Sequence, residues 1–584
     1  MSSPFDKNKI APAQFAPRLY CYVSTRSTDL AARLRAKADA NVQYAEIGNA
    51  GGRTQFLFVS PRRDGDKLIL ASVTNDLGDF DLARMTDRAL AGKPVDDVPF
   101  DSNVALSCND AAAFACASGY WGIMTHYWHH DADTFVCSNN VFLTAGIAGD
   151  ELSEPAMFEY LFFGWPRKEK TWFKAVSSLQ PGQQLKLDVE RHAVELLGGT
   201  DFDKLLDPEP LELLPTVREF FSKAKQRIGR DRTTYISLSS GSDSRTVLSC
   251  LRGMKMQPHA ISFGNFNMLE TRDVAELTHQ LHVPWLFVDL AEFPDRFDEL
   301  FAEGTFFSNG LLNPLRTHYP WLYSHMRRGN AVFEGILGSE FIKGEIAMPP
   351  MASPMYRDII TLDISLEAAL GKYYPEMPEP TRQNLTSYIR SEYSHMFVNV
   401  NTPEGARSFQ RYLLEDIPRR FFAGIIKIAS QNSTMGYYPF LSPRILQAVF
   451  SNDCGMRKGF SLQKDFVGPI ASLRAEALIV KEMDEEIFNS TLDRGVSFRD
   501  VLAPAAVAKT RRKMNLLEKK IRIGSLFGGQ IDNSRVVDRL HEPALTLECP
   551  TFPGGLSNKN CGDLLAKAVV NYSQVRELAR AFKP

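Results

Sequence analysis

The chain has little of what marks membrane, nucleic-acid or metal-binding proteins. No run approaches the roughly 18–20 apolar residues that a membrane span needs. The eight cysteines contain no Cys-x-x-Cys pair, which excludes the usual zinc and redox spacings and predicts a reducing cytoplasm. The formal net charge is −2, so we expect no nucleic-acid or membrane surface. The first residues, Met-Ser-Ser-Pro-Phe-Asp-Lys, lack the apolar core of a signal peptide.

What the sequence has is length and apolar content. Its 584 residues are 44% hydrophobic, which is enough for two or three domains with full cores.

The most informative segment is residues 235–245, Tyr-Ile-Ser-Leu-Ser-Ser-Gly-Ser-Asp-Ser-Arg. An apolar strand runs into a turn of small hydroxyl residues, and an apolar helix begins directly after it. Backbone N–H groups in such a turn, together with a helix N-terminus, form a cradle for phosphate. No Gly-Lys-Ser/Thr follows, so the segment is not a Walker A loop. We predict phosphate contacts from Ser239, Ser240, Gly241, Ser242 and Ser244.

A single carboxylate, Asp243, stands in the middle of this turn. A carboxylate is a poor neighbour for phosphate but a good ligand for Mg²⁺. The turn therefore predicts a site for ATP with Mg²⁺. The alternative is a serine-rich turn between a strand and a helix, without a ligand.

Residues 239–244, Ser-Ser-Gly-Ser-Asp-Ser, resemble the pyrophosphate-binding loop of the asparagine synthetase-like family, which is usually Ser-Gly-Gly-x-Asp-Ser. Ser240 replaces the first glycine of the pair. Members of that family break ATP between the α and β phosphates, activate a carboxylate as an acyl-adenylate and then form an amide. The resemblance covers roughly residues 110–500, and further matches follow in the family's order.

The N-terminal part is predicted to be rich in strands. Residues 119–138 predict a hairpin with an acidic turn, and a helix is expected over Glu154–Phe163. This order resembles the family's N-terminal domain, an αββα sandwich of the N-terminal-nucleophile (Ntn) hydrolase type, which we assign to residues 1–200. Short apolar runs bounded by turn residues predict further strands at residues 18–24, 55–60 and 67–72.

Glutamine-dependent members of the family carry a nucleophilic cysteine directly after the initiator methionine. Here that position is Ser2. A serine can act as an N-terminal nucleophile, but Ser-Ser-Pro-Phe-Asp-Lys is typical of a loose tail. Processing ahead of Cys21, which lies on an apolar strand, is a remote alternative. We expect a domain without glutaminase activity, kept as structure or as a surface for a substrate or partner.

Strands and helices alternate in the second part, which we assign to residues 211–584 after a polar connector at 200–210. This rhythm predicts a doubly wound parallel sheet with a helical extension, and thus an α/β fold class for the chain. Ligands of such sheets bind at the carboxyl ends of the strands, where the loop after Leu238 lies. The predicted strands are 233–238, 258–263 and 285–290, and the predicted helices are 211–227, 245–252 and 271–281.

The second strand of this series ends in Ile-Ser-Phe-Gly-Asn at 261–265. A matching turn in the family holds adenine and ribose, so the resemblance implies nucleotide contacts from Ile261, Ser262 and Gly264. Glycine permits the close approach of backbone to ligand. A plain turn at the end of a strand is the alternative.

Residues 331–344 resemble the family's Gly-Glu-Gly-x-Asp-Glu-type turn, whose aspartate joins the loop aspartate in holding Mg²⁺. Gly335 is kept as a nucleotide contact, but Ile336 replaces the first glutamate and Ser339 replaces the metal-binding aspartate. Losing a carboxylate weakens a site for a hard cation. Glu340 is the expected substitute, with Glu334 as a second candidate, so the predicted metal ligands are Asp243 and Glu340.

The family's catalytic lysine, in an Arg-x-Lys-x-Gly pattern, is not kept. Residues 491–495, Thr-Leu-Asp-Arg-Gly, leave Arg494 as the nearest cation, and an arginine would supply a fixed bidentate charge. A surface arginine is the alternative. The predicted catalytic residues are therefore Asp243, Glu340 and Arg494.

Two helices are predicted nearer the C-terminus. Residues 443–450 follow Ser442, which can cap them. Residues 509–522 form a basic amphipathic pattern, which is either a solvated face or a docking surface for a leader peptide or an acidic partner.

The resemblance implies an AMP-forming, ATP-dependent carbon–nitrogen ligase that acts on a carboxylate-bearing substrate and an amine donor. Without the glutaminase cysteine, the amine is free ammonia or an amine on a second or the same substrate, as in the family's β-lactam synthetases and lasso-peptide cyclases. Peptide and sugar substrates stay open, and so does a homodimer. The alternative is a catalytically degenerate nucleotide-binding or scaffold member, which Ser240, Ile336, Ser339 and the missing lysine favour.

Overall fold

The protein is a mixed α/β chain with antiparallel sheets in its first part and a parallel sheet in its second. The computed structural model describes residues 19–517 and 574–581, apart from residues 39–44, 61–68, 76, 78–80, 96–102, 111, 267, 313–315, 327–328, 345–352, 363, 376, 432–434, 453, 459–472, 494, 505–506, 509 and 516. Within these residues, no helix is long and apolar enough to cross a membrane.

The first part contains strands and a few helices. The strands are β1 (Leu19–Thr25), β2 (Ala45–Ala50), β3 (Arg53–Ser60), β4 (Ile69–Thr74), β5 (Asn103–Asn109), β6 (Ala113–Ala117), β7 (Tyr127–His130), β8 (Thr134–Ser138), β9 (Ser177–Ser178), β10 (Gln183–Asp188) and β11 (Ala193–Gly198). The helices are α1 (Thr28–Ala38), α2 (Leu82–Leu90), α3 (Val141–Ala148) and α4 (Glu154–Phe163).

These strands form two antiparallel sheets, in the orders β2-β3-β1-β8-β7-β9 and β11-β10-β6-β5-β4. The alternation of β1 explains how they pack, because Tyr20 and Tyr22 join a core with the second sheet while Cys21 and Val23 join the core on the other face. The ring of Tyr22 stacks on Phe114 of β6 at 4.5 Å. The strands predicted from short apolar runs are confirmed.

Short-range hydrogen bonds and capping residues determine the predicted hairpin between β7 and β8 and the predicted helix α4. The backbone N–H groups of Asp133 and Thr134 both donate to the Asp131 carboxylate at 2.8 Å, which closes the acidic turn between β7 and β8. Helix α4 has the predicted bounds. Ser153 caps it, and Gly164 ends it at a φ of +93° that favours glycine.

The second part is built on five parallel strands in the order β14-β13-β12-β15-β16. Strand β12 lies in the middle, with β13 and β14 on one side and β15 and β16 on the other, so the strand order reverses beside it. This is the place where open α/β sheets bind ligands, and the predicted parallel sheet is confirmed. The strands are β12 (Thr234–Ser237), β13 (His259–Gly264), β14 (Trp285–Asp289), β15 (Ala331–Phe333) and β16 (Met435–Tyr437).

Helices cover this sheet and extend beyond it. They are α5 (Asp203–Leu206), α6 (Leu213–Ile228), α7 (Ser242–Gly253), α8 (Leu269–Gln280), α9 (Phe297–Ser308), α10 (Tyr319–Ser324), α11 (Pro354–Leu362), α12 (Leu366–Tyr373), α13 (Glu379–Tyr393), α14 (Pro403–Asp416), α15 (Ala423–Gln431), α16 (Pro443–Ser451), α17 (Arg474–Met483), α18 (Glu485–Asn489) and α19 (Phe498–Val501).

The structure bears on three further sequence predictions for this part. The connector at 200–210 is not only polar, because it contains α5 with Leu205 and Leu206 buried. Ser442 caps α16 as predicted, accepting from the Ile445 N–H at 3.2 Å. The basic helix predicted at 509–522 is helical at residues 510–515, and much of the remainder lies outside the described residues.

The two parts share hydrogen bonds across a common core. The indole N–H of Trp121 donates to the Leu441 carbonyl at 2.7 Å, and that of Trp172 to the Gly310 carbonyl at 3.1 Å. The buried Arg419 donates to the Ser178 hydroxyl at 3.3 Å. The domain boundary between residues 200 and 211 stays a prediction.

Candidate functional site

The predicted phosphate loop is held in shape by its own hydroxyl groups. The Ser239 N–H donates to Oγ of Ser244 at 3.0 Å, and that hydroxyl donates back to the Ser239 carbonyl at 3.2 Å. The Gly241 N–H donates to Oγ of Ser239 at 3.3 Å. Helix α7 begins directly after, at Ser242, so its first N–H groups belong to the same turn. The loop is thus preformed at the end of the central strand.

Neighbouring strands bring two predicted glycines beside the loop. Gly264 ends β13 with a φ of +145°, in the region that favours glycine. Gly335 follows β15, and a Cβ there would lie 2.8 Å from the Asp243 carbonyl carbon and 2.9 Å from the Ser244 nitrogen. The segment after β15 therefore packs against the first turn of α7 with no room for a side chain.

A cavity of about 330 Å³ opens beside the loop. This volume lies at the lower end of the range for small-molecule sites. Its polar lining includes Ser239, Asp243, Ser244, Ser262 and Thr271. Its apolar lining includes Phe263, Met268, Val274, Tyr319 and Ile336.

The predicted nucleotide residues fall into two groups around this cavity. Ser239, Ser244, Ser262 and Gly335 line it, together with Asp243. The other predicted residues belong to the same loop and strands but are not part of the lining. They are Ser240, which is buried, Gly241 at the start of α7, Ser242, Ile261, whose carbonyl accepts from the Leu238 N–H, and Gly264 at the end of β13.

Asp243 does not stand alone in the loop. Its Oδ2 accepts from the Lys343 ammonium at 3.1 Å and from the Ser339 hydroxyl at 3.0 Å. The same ammonium donates to Oγ of Ser242 at 3.1 Å. Lys343 follows a short π-helical turn, Gly338–Ile342, and its side chain is 3% exposed. Leu337, just before this turn, has a φ of +70°, a strained conformation of the kind that clusters at functional sites.

Glu476 of α17 lies against Asp243 and is fully buried. Burial acts to raise the pKa of Asp243, but the Lys343 charge and the hydrogen bonds from Glu476, Lys343 and Ser339 together outweigh it, and the net pKa is lowered. Burial raises the pKa of Glu476 well above its usual range, and the charge of Asp243 adds to the effect. Asp243 is therefore the charged member of the pair and Glu476 the protonated one, because two adjacent buried carboxyl groups cannot both ionise cheaply.

Glu340 lies near Asp243 but in a different state from the one predicted. It is buried, and burial together with the charge of Asp243 raises its pKa to about 7. Among the described residues, no three metal-binding side chains come together. With Oδ2 of Asp243 taken by Lys343 and Ser339, these residues do not fit a divalent cation held by Asp243 and Glu340.

The third predicted catalytic residue, Arg494, lies outside the described residues. Its neighbourhood does reach the loop, since the Asp493 N–H donates to the Ser240 carbonyl at 3.4 Å. The buried guanidinium of Arg245, in the first turn of α7, donates to the Thr491 carbonyl at 2.7 Å. The segment before Arg494 is thus fixed beside the loop.

The alternative nucleophiles of the N-terminal part are not set up for reaction among the described residues. Ser2 lies outside them. Cys21 is in the middle of β1, paired with Phe58 on one side and Ser138 on the other. Burial raises the pKa of its thiol well above the usual range, and a buried thiol of this kind is inert.

Lys343 and Glu476 are the site residues that the sequence analysis missed. Each carried a signal. Lys343 is a positive charge directly after the apolar pair Phe341 and Ile342. Glu476 stands three residues before Ile479 and four before Val480, both buried, so it falls on the apolar face of α17. A charge at a buried helical position is seldom left there without a partner.

No family model matches the chain, and no curated protein matches it. The resemblance to the asparagine synthetase-like family therefore rests on the motifs quoted above.

The buried glutamates of the site predict a pH dependence of stability. Burial raises the pKa of both Glu334 and Glu340 from about 4.5 to about 7, and the Tyr323 hydroxyl donates to Glu334. Between these two pH values the folded protein keeps protons that the unfolded chain loses. The contribution of these two glutamates to the free energy of unfolding should therefore fall, by a few kcal/mol at about 1.36 kcal/mol per pKa unit, as pH rises from about 4.5 to about 7. The buried His126, whose pKa burial lowers to about 3, contributes with the opposite sign up to about pH 6.5.

Urea unfolding over a pH series measures this slope. Glu334→Gln, which keeps the shape of the side chain but does not titrate, should flatten it. Glu379→Gln, at the exposed start of α13, is the control and should leave it unchanged. A pH dependence of stability that Glu334→Gln leaves the same as in the wild type would contradict the prediction.

Proposed function

We propose that this protein is an ATP-dependent, amide-bond-forming ligase of the asparagine synthetase-like kind, with an Ntn-like first domain and a nucleotide-binding second domain. The observation that carries the proposal is the preformed loop at residues 239–244, at the carboxyl end of the central parallel strand and facing a cavity. N–H groups at such a position bind phosphate in many unrelated proteins.

The lining of the cavity supports a nucleotide as ligand. The apolar side chains of Phe263, Val274 and Ile336 offer a surface for the adenine base. The Ser239 and Ser262 hydroxyl groups line the same cavity and offer polar contacts for ribose and phosphates. The Ser262 hydroxyl already accepts from the indole N–H of Trp285 at 2.7 Å, so its own proton is free to point elsewhere.

The proposed reaction needs positioning more than covalent chemistry by the protein. A substrate carboxylate attacks the α-phosphorus of ATP, and the bond between the α-phosphorus and the bridging oxygen breaks to give an acyl-adenylate and pyrophosphate. An amine then attacks the acyl carbon, the amide forms and AMP leaves. The loop N–H groups stabilise charge on the departing pyrophosphate. None of these steps uses a magnesium ion, because Asp243 and Glu340 do not fit a divalent cation.

A second candidate is a nucleotide-binding scaffold without turnover. The contact between Lys343 and Asp243 favours it, because the loop carboxylate is already engaged by the protein itself. Release of pyrophosphate from ATP separates the two candidates, since only the ligase releases it, and only with a carboxylate substrate present.

Filling the cavity is expected to abolish ATP binding while leaving the fold intact. Ile336 is partly buried and lines the cavity, so Ile336→Trp places an indole where the base would lie. A ligand at about 100 times its Kd stabilises a protein by about 2.7 kcal/mol. Thermal unfolding with ATP, both in MgCl₂ and in EDTA, should show this stabilisation in the wild type and none in the variant.

The matched control is Leu196→Trp on β11, where Leu196 is 43% exposed and away from the cavity. It should keep the full response to ATP. An absence of any ATP response in the wild type would rule out both candidate functions. A response that Ile336→Trp leaves unchanged would move the nucleotide to another site.

A further inference from the structure

The ammonium of Lys343 is a buried cation that contacts the Asp243 carboxylate and the Ser242 hydroxyl. It lies 3.1 Å from Oδ2 of Asp243, and its charge partly opposes the rise in pKa that burial causes in Glu340 and Glu476. All four side chains are wholly or largely buried, with Lys343 at 3% and Asp243 at 21% exposure. A buried carboxylate paired with a fixed positive charge has the electrostatic arrangement that a bound metal ion would otherwise supply.

Three separate elements build this arrangement. Asp243 comes from the first turn of α7, Glu340 and Lys343 from the turn after β15, and Glu476 from α17. Gly338 allows the turn to approach, because a Cβ there would lie 2.1 Å from Oδ1 of Asp243. The ammonium is therefore fixed by the fold and does not reach the carboxylate as a flexible surface side chain would.

We propose that the Lys343 ammonium takes the place of a divalent cation, so that the phosphate chain of a nucleotide binds to this loop without Mg²⁺. This inference rests on the proposed function for the identity of the ligand. Ser339 removes one negative charge where the resemblance expects an aspartate, and Lys343 adds one positive charge beside it. The ammonium would repel a divalent cation beside it strongly, because the two positive charges would be close together in a poorly screened site.

The first test uses metal alone, so it does not depend on the nucleotide. Mn²⁺ binding is measured by calorimetry, and the Tm is recorded in MgCl₂, for the wild type, Lys343→Met and the double variant Lys343→Met/Asp243→Asn. We expect no metal response in the wild type. Lys343→Met should bind Mn²⁺ at least about tenfold more tightly, which corresponds to about 1.4 kcal/mol, because it frees the Asp243 carboxylate from the ammonium and removes the repelling charge.

The double variant is the matched control, since it removes the ammonium and the carboxylate together and should regain no metal affinity. A wild type that binds Mg²⁺ or Mn²⁺ through Asp243 would overturn the proposal. A folded Lys343→Met that gains no metal affinity would overturn it as well.

The second test uses the wild-type chain and decides the matter if Lys343→Met does not fold. The Tm shift caused by ATP, and by inorganic pyrophosphate, is measured in EDTA and in MgCl₂. Equal shifts support the proposal. A shift that requires MgCl₂ would overturn it and leave the proposed function standing, whereas no shift in either buffer would overturn both.

Discussion

Gly338→Ala is expected to abolish nucleotide binding and to lower the free energy of unfolding by several kcal/mol. The new Cβ would lie 2.1 Å from Oδ1 of Asp243 and 2.4 Å from its Cγ, so the carboxylate would have to move. It would then lose its contacts with Lys343 and Ser339. Breaking a buried ion pair by displacing one partner costs about 3–5 kcal/mol. Urea unfolding and the ATP-induced Tm shift measure the two effects.

Gly371→Ala is the matched control for this substitution. Gly371 is an exposed residue of α12, and no atom lies within 4 Å of the position that a Cβ would take there. Alanine favours a helix interior over glycine by up to about 1 kcal/mol, so the control should be neutral or slightly stabilising. If Gly338→Ala were as stable as the control and still bound ATP, the result would contradict the close contact between this turn and Asp243.

Asp416→Ala is expected to lower the free energy of unfolding by about 3–5 kcal/mol, the cost of leaving a buried charge unpaired. Asp416 pairs with Nε of Arg167, and each side chain is only 4% exposed. The guanidinium lies 4.7 Å from the centre of the Phe163 ring and 5.2 Å from that of Tyr412. Burial alone would lower the pKa of Arg167, but Asp416, together with Tyr412 and Tyr393, more than offsets this and the net pKa is raised.

Two comparisons make this second prediction specific. Asp203→Ala removes a carboxylate that pairs with Arg407 at 2.6 Å and also with Arg411, at a position where the Asp203 side chain is 38% exposed, and exposed pairs contribute only about 0–1 kcal/mol. Replacing both partners, as Arg167→Met with Asp416→Leu, should recover much of the loss because no charge then stays buried. Urea unfolding of the three variants checks this. An Asp416→Ala variant no less stable than Asp203→Ala would contradict the prediction.

The bounds of a helix were predicted accurately where the sequence carries both a capping residue at its start and a glycine after its end. Helix α4 has Ser153 as its cap, a proline at its start and Gly164 after its end, and its predicted bounds are confirmed. Helix α7 was predicted to begin at Arg245 but begins at Ser242. The error has a physical cause, since serine and aspartate favour turns and also favour the first turn of a helix. Their presence alone does not distinguish the two.

The metal ligands predicted from the motifs, Asp243 and Glu340, lie in one site, but a third residue changes its chemistry. The sequence placed Asp243 and Glu340 in one site, and the fold does bring them near each other. It did not reveal that Lys343, one hundred residues after Asp243, donates to the same carboxylate. A contact of that sequence separation depends on how the turn after β15 packs against α7, which no local pattern encodes.

The sequence by itself determined the alternation of strands and helices, the loop at residues 239–244 and the order of the elements around it, because hydrophobic periodicity and turn residues act over a few positions. Only the tertiary structure decided the charge state of the site. The pKa values of Asp243, Glu340 and Glu476 depend on which groups are buried together. Burial and the distance between charges are properties of the packed chain, so they arise only when Lys343 and Glu476 meet Asp243 in the folded protein.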